Sequence, residues 1–287
     1  MGNPRGALLS VEETDQHAAL TERQRREREY YDEYARRTAP GDLSFSPVLG
    51  QERRPWNPYW FVAELVRNAR TADDQTLLDF GCGPGNYGVM FARLGYRVFG
   101  FDISPVNVEA ARRLAAKYDL ADRTEFAQGV AERLDFPDGF FDIVVGIDIL
   151  HHVDIPAAIR ETLRVLKPGG MGIFKEPIEA PAFDRVRNTR LGRWIAPKEA
   201  SFDRHITEDE RKLTREDLAT IRAGAPALSV HPFRVLSRLD ALVGDRLQWK
   251  GASMLEMVDA RLLSAAPVLA RIAGSVVLAI RRQASRF

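Results

Sequence analysis

The chain has almost no cysteine, no long apolar run and no excess of one charge. Its 287 residues include a single cysteine, Cys82. That excludes an internal disulfide framework and any zinc site built from several cysteines. Lys and Arg number 41 against 40 Asp and Glu, a formal net charge of +1, so the chain lacks the broad basic face that wholesale nucleic-acid binding requires. The longest late apolar stretch, Ile272 to Ile280, lies between Arg271 and Arg281 and falls far short of the roughly 20 residues that cross a bilayer. The opening Met1-Gly2-Asn3-Pro4-Arg5-Gly6 has no apolar core of a secretory signal, and Gly6 stands where myristoylation requires Ser or Thr. A soluble cytoplasmic protein without a membrane span is expected. Histidines are few, 5 in all, and His151-His152 are adjacent, unlike the i, i+4 pair of a helical zinc site, so no metal is expected.

What is present is an ordinary globular composition, 45% hydrophobic and 28% charged. Length alone allows one or two domains. After a small, polar arm, Thr21 to Arg37 is a charge-dense helical stretch ending before Pro40-Gly41. Tyr30, Tyr31 and Tyr34 fall on neighbouring parts of its surface, where they could pack over a pocket. Trp60 to Arg70 reads as an amphipathic helix. Strands then alternate with helices: strands at Thr76–Phe80, Arg97–Phe101, Thr124–Gln128, Phe141–Ile147 and Met171–Lys175, helices at Tyr87–Leu94, Val106–Tyr118 and Ile155–Leu166. Repeated βα units of this length imply a parallel sheet with helices on both faces. Residues 178–225 lose strand periodicity and read as an inserted helical lid, with Thr207 and Glu210 forming a capping box. Leu228–Val235 and Val276–Ile280 read as further strands, the latter competing with a helix from Pro267 onward.

The strongest chemical signal is Leu77-Leu78-Asp79-Phe80-Gly81-Cys82-Gly83-Pro84-Gly85-Asn86-Tyr87-Gly88, a strand running into a glycine turn and then a helix. Such glycines permit positive φ and close backbone approach, and the helix N-terminus presents free N–H groups to a polar ligand. Gly83, Gly85 and Gly88 also fit the dinucleotide fingerprint. Asp79, however, would set a charge beside a pyrophosphate, and no hydride-transfer pattern accompanies the loop. Asp102, about twenty residues further on, can accept hydrogen bonds from both hydroxyls of a ribose. Ser104 serves better than Asp102 as the cap of the following helix. Cys82 reads as a small buried filler.

Together with Gly100-Phe101-Asp102-Ile103-Ser104, Phe136-Pro137-Asp138-Gly139-Phe140-Phe141-Asp142-Ile143-Val144 and Leu166-Lys167-Pro168-Gly169-Gly170, the loop resembles the class I S-adenosylmethionine-dependent methyltransferases, over roughly residues 75–176. The resemblance is to small-molecule enzymes of the quinone and natural-product type. It implies a Rossmann-like, doubly wound, seven-stranded, mostly parallel sheet with helical lid insertions. One elaborated domain would comprise an N-terminal arm or lid (1–70), a cofactor-binding core (71–177), an inserted lid (178–227) and the completion of the sheet (228–287). It implies S-adenosylmethionine as cofactor, with Asp79 near the methionyl amine, Gly81 and Gly83 along the methionyl portion and Ile103 on the adenine. Asp148 is counted with the cofactor contacts. Val130 departs from the acidic residue the family often places after Gly129, leaving adenine to apolar packing, the backbone near Ala131, or Gln128 or Glu132.

A general base is needed only where the acceptor must lose a proton. Strand-end candidates are Asp148, His151, His152 and Glu176, histidine being suited to work near neutrality. Tyr30, Tyr31, Tyr34 and His205 are candidate acceptor contacts, and the Trp56-Asn57-Pro58-Tyr59-Trp60 cluster a further part of the lid. Aromatic walls with a few polar groups suit a medium-sized, largely apolar acceptor. The expected activity is methyl transfer to oxygen, nitrogen or carbon, with a homo-oligomer through the N-terminal helix. The competing expectations are an NAD(P)-dependent oxidoreductase and a non-catalytic cofactor-binding scaffold.

Overall fold

The computed structural model describes residues 20–38, 41–52, 54–181, 211–240, 248–249 and 252–283. Its helices are α1 (Glu22–Arg37), α2 (Ser46–Leu49), α3 (Pro58–Ala69), α4 (Asn86–Arg93), α5 (Pro105–Lys117), α6 (Ile155–Val165), α7 (Arg215–Gly224) and α8 (Met254–Ala265). The strands are β1 (Thr76–Phe80), β2 (Arg97–Asp102), β3 (Thr124–Gln128), β4 (Phe141–Ile147), β5 (Leu166–Pro177), β6 (Leu228–Phe233), the short β7 (Gln248–Trp249) and β8 (Ala252–Ser253), and β9 (Ser275–Arg281).

Seven strands form one sheet in the order β3-β2-β1-β4-β5-β9-β6. The pairs from β3 through β5 are parallel, and β9 runs antiparallel to both β5 and β6. The strand order reverses at β1/β4, and in open α/β sheets ligands bind at that switch, beyond the carboxyl ends of the strands. The expected mostly parallel, doubly wound sheet is therefore observed.

Each strand sends alternate side chains to opposite faces. Leu77, Val98, Ile143, Val145, Ile173 and Val277 pack under α3, α4 and α5. Leu78, Phe80, Phe99, Val144, Phe174 and Leu278 pack with Ile159 of α6 and Ile221 of α7. Full burial of each such side chain contributes about 1.5–3 kcal/mol, and both faces are dry, as parallel sheets require.

The local signals act as their chemistry dictates. Ser104 caps α5 by accepting from Asn107 N–H, and Asp154 caps α6 by accepting from Ala157 N–H. Thr21 and Gln24 close a capping box at the start of α1, worth about 1 kcal/mol. One expectation shifts. β5 begins at Leu166, five residues before Met171, because the Lys-Pro-Gly-Gly stretch enters the sheet with a register break opposite Phe141 and Ile143. Near the end, Pro267–Ile272 forms a 3-10 turn and the strand follows it. The capping box at Thr207 lies outside the described residues.

Candidate active site

The turn after β1 is shaped by three alternating positive-φ glycines, Gly81, Gly83 and Gly85 at 74°, 50° and 87°. Gly85 cannot be replaced without collision: a Cβ there would sit 2.6 Å from the Cβ of Ala111 on α5. Gly83 is the opposite case, with nothing within 4 Å of its missing Cβ. One glycine thus packs the turn against a helix, and the other leaves an open cradle.

Asp102 closes the cradle from β2. Its carboxylate accepts from Gly83 N–H at 2.9 Å, Ser104 N–H at 2.9 Å and Asn107 Nδ2 at 3.2 Å. Burial pushes its pKa above the ordinary carboxylate value, against those three donors. Asp79 lies elsewhere. It shares the face of Leu77, so its carboxylate points beneath the turn toward Gly88, and Oδ2 is buried without a hydrogen-bond partner. Desolvation, opposed by Gly88 N–H and assisted by Asp102, lifts its pKa to about 7. Cys82 is buried, its thiol pushed well up by desolvation, which agrees with a packing role.

A cavity of about 210 Å³ opens over this turn, bordered by Gly81, Gly83, Asp102, Ile103, Ala131, Asp148 and His152. Six residues of α1 and its C-terminal end roof it, Gln24, Glu27, Tyr31, Tyr34, Ala35 and Thr38. Polar contacts fasten the roof: Arg23 and Gln24 donate to Glu132 at 3.1 and 3.0 Å, and Tyr31 OH lies 3.0 Å from His152 Nε2. Glu27 lies 3.4 Å from Nδ1 of the same imidazole.

Several expected residues do not border the cavity. Tyr30 stands behind the roof, stacked on Tyr34 and edge-on to Tyr31. Val130 forms a bridge with Arg133 instead. Glu176, expected to face the crevice, is fully buried because it shares the inner face of Phe174. Its Oε1 accepts from the backbone N–H groups of Ile149 and Leu150 at 3.0 and 2.8 Å, and its Oε2 lies 2.6 Å from His151 Nδ1. His151 lies beside His152, with ring centroids 4.1 Å apart and planes tilted by 41°. His205 lies outside the described residues. Among the described residues, no group of three His, Cys, Asp or Glu could hold a metal ion.

Sequence reasoning missed Lys175 and read Tyr59 only as part of a lid cluster. Lys175 alternates with Ile173 on the α3 face at the carboxyl end of β5. That period-two position is the signal that would have found it. Its Nζ donates to both Asp148 oxygens and to Tyr59 OH. Gln128, offered as a reader of adenine, instead donates to Ile103 C=O and is exposed.

Residues 78–174 match the protein family described as a methyltransferase domain, and they contain the turn, Asp102 and the cavity floor. Over this part the chain is similar to S-adenosylmethionine-dependent methyltransferases. Among curated relatives of the methyltransferase domain, 27-O-demethylrifamycin SV methyltransferase of Amycolatopsis mediterranei is 42% identical over 46% of this chain and 52% of its own. Ubiquinone biosynthesis O-methyltransferase of Caulobacter vibrioides is 31% identical over 56% and 62%. The chain thus spans about half to three fifths of these relatives' length. Among solved structures, geranyl diphosphate C-methyltransferase of Streptomyces coelicolor A3(2) shares the fold, with a TM-score of 0.55 at 17% identity over 92% of this chain and 99% of the other. The cyclase SpnF shares it too, with a TM-score of 0.51 at 23% identity over 82% and 86%. A cyclase in this company shows that the fold by itself does not fix the chemistry.

The residues fit the cofactor that the family implies. The cradle at Gly83 has room for a ligand's backbone-close approach, and the Asp102 carboxylate retains acceptor capacity beyond its three bonds.

Proposed function

We propose that the protein transfers the methyl group of S-adenosylmethionine to an oxygen, nitrogen or carbon atom of a small, largely apolar acceptor of the quinone or natural-product kind. One conjunction carries this reading: the open glycine turn, the Asp102 carboxylate and the apolar Ile103 and Ala131 border one cavity, with Asp148 and His152 across it. Asp102 accepts from a ribose hydroxyl, Gly81 and Gly83 admit the aminoalkyl chain, and Ile103 packs on adenine. With Val130 in place of an acid, the Ala131 backbone meets the adenine edge. Asp148 accepts from the donor's α-ammonium. When bound, S-adenosylmethionine supplies a methyl group on a cationic sulfur, open to in-line displacement.

The chain's own residues position the reactants and move a proton. The α1 roof covers the cavity, and Tyr31 and Tyr34 border it. For an acceptor hydroxyl, the proton passes to the His151–His152 pair, in which His152 borders the cavity, His151 lies beside it without bordering the cavity, and Glu176 is the positioning residue of His151. A carboxylate on Nδ1 fixes the tautomer and makes Nε2 the basic nitrogen. Glu176 is held in turn by two backbone N–H groups, so the imidazole is oriented by the strand itself. His205 belongs to the same proposal as an acceptor contact. Cytoplasmic action and self-association through α1 belong to the same proposal, and light scattering of the purified chain checks the second.

Calorimetry with S-adenosylhomocysteine and with NAD tests the donor assignment. Binding of the first and not the second is expected, and the reverse would overturn it. With a turned-over hydroxyl acceptor, His151→Ala lowers kcat by a hundredfold or more, the usual scale of general-base loss, while S-adenosylhomocysteine affinity stays within twofold. Glu176→Gln lowers kcat with the same sparing of affinity. Full activity in His151→Ala would remove that residue from the mechanism.

A further inference from the structure

On the β5 side of the cavity stands a buried ion pair whose members are unequally available. Lys175 is 5% exposed at its side chain and Asp148 36%. The lysine Nζ lies 2.7 and 2.9 Å from the two Asp148 oxygens and 3.0 Å from Tyr59 OH. Tyr59 OH in turn donates to Asp148 Oδ2 at 3.3 Å, and the same ammonium sits 4.5 Å from the Tyr59 ring centroid. Tyr87 lies parallel to Tyr59 at 6.4 Å and closes the far side.

The hydrogen-bond count decides what each group can do. An ammonium has three N–H donors, and all three of Lys175 are used within the cluster. Tyr59 has one hydroxyl proton, which goes to Asp148. Neither can donate to a ligand without giving up a bond. A carboxylate offers about four lone pairs, of which these contacts occupy three. One acceptor position remains, on the group that borders the cavity. Asp148 is further pinned by a left-handed backbone, φ 54°, and by its N–H donating to Lys175 C=O at 2.8 Å. Without the Asp148 carboxylate the buried ammonium would be uncompensated, which is costly. The arrangement suits a fixed anion that accepts from a cation.

We propose that Lys175 and Tyr59 are positioning residues of the donor site: they hold the Asp148 carboxylate with a single acceptor position for the donor's α-ammonium. This rests on the donor assignment above. Burial works against the charge on Lys175, but Asp148 and Tyr59 outweigh it and hold the ammonium above the ordinary lysine range, so the clamp keeps its charge across neutral pH.

Two ligands separate positioning from a purely structural role. S-adenosylhomocysteine carries the α-ammonium, and 5′-methylthioadenosine keeps the nucleoside and sulfur without the amino-acid end. In calorimetry on the full chain, Lys175→Met weakens the first by tenfold or more and leaves the second within twofold. Lys175→Arg restores most of the loss, and Tyr59→Phe, which keeps the ring, gives a several-fold loss with the same selectivity. Equal weakening of both ligands, or of neither, in Lys175→Met and Tyr59→Phe overturns the proposal. A wild-type protein that binds neither ligand overturns the donor assignment instead, so the two failures are distinct.

Discussion

Asp79 and Asp102 end neighbouring strands, yet their carboxylates have different surroundings. Asp102 meets three donors at the cavity edge, whereas Asp79 is turned under the glycine loop with one oxygen unsatisfied. Asp79 therefore carries a stability signature. Burial raises its pKa from 3.8 to about 7 in the folded chain, while the unfolded chain keeps the ordinary value. The folded state then holds a proton that the unfolded state has released over that interval. Stability from this group is full below pH 3.8 and is lost as the pH rises through about 7. The loss is bounded near ~4 kcal/mol at 1.36 kcal/mol per pH unit. Thermal unfolding at pH 5.5 and 8 checks it: wild type gains several degrees more on acidification than Asp79→Asn, and equal gains would refute the assignment. The same alternation explains what was legible at this scale. Asp102 and Ile103 follow from motif spacing and stand at the cavity. Glu176 and Lys175 are adjacent, so the sheet sends one to the His151 side and the other to α3. A sequence pattern identifies strand ends, but which face opens on a cavity depends on the elements packed above them.

Helix α1 is polar almost all round, and its one fully buried side chain is Glu27. Such a helix is held by bonds to its partners more than by apolar burial. Glu132 is the anchor with the widest reach, accepting from Arg23, from Gln24 and from the backbone N–H of Asp154. Charge-assisted bonds of this kind contribute roughly 1.5–3 kcal/mol each. Glu132→Ala should then speed amide exchange in α1 by tenfold or more and leave β1 through β5 unchanged. Unaltered exchange in α1 would show that the roof is fastened elsewhere. The bounds of α1 were readable from Thr21 and the charge pattern. Its place was not, because side chains a hundred residues away in sequence receive its contacts. The tyrosines illustrate the gap: helical spacing grouped Tyr30, Tyr31 and Tyr34, and the tertiary fold brings the last two to the cavity and leaves Tyr30 behind.

At the scale of the whole molecule, the family match ends at Phe174, within β5, but the sheet does not. β9 lies between β5 and β6 and buries Val276, Val277, Leu278 and Ile280. The division into arm, core, lid and sheet completion therefore describes regions of sequence, and the core region shares its central strands with the last. Ending the chain before Ser275 exposes the edge of β5 and both flanking apolar faces, so no cooperative unfolding transition is expected from that fragment. A fragment that melts cooperatively with the wild-type far-ultraviolet spectrum would show the core to be self-sufficient. The parallel half of the sheet was readable from its βα rhythm. The antiparallel insertion was not, since a β-branched stretch announces a strand without naming its neighbours.

That insertion also sets a timetable. β9 leaves the ribosome roughly 100 residues after β5, an interval of about 5–20 s at common elongation rates. For that time the inner edge of β5 has no permanent neighbour, and a strand edge of this composition recruits other chains. Yield in a cell should accordingly depend on how crowded the nascent chains are and on which chaperones meet them, even where the finished protein is stable.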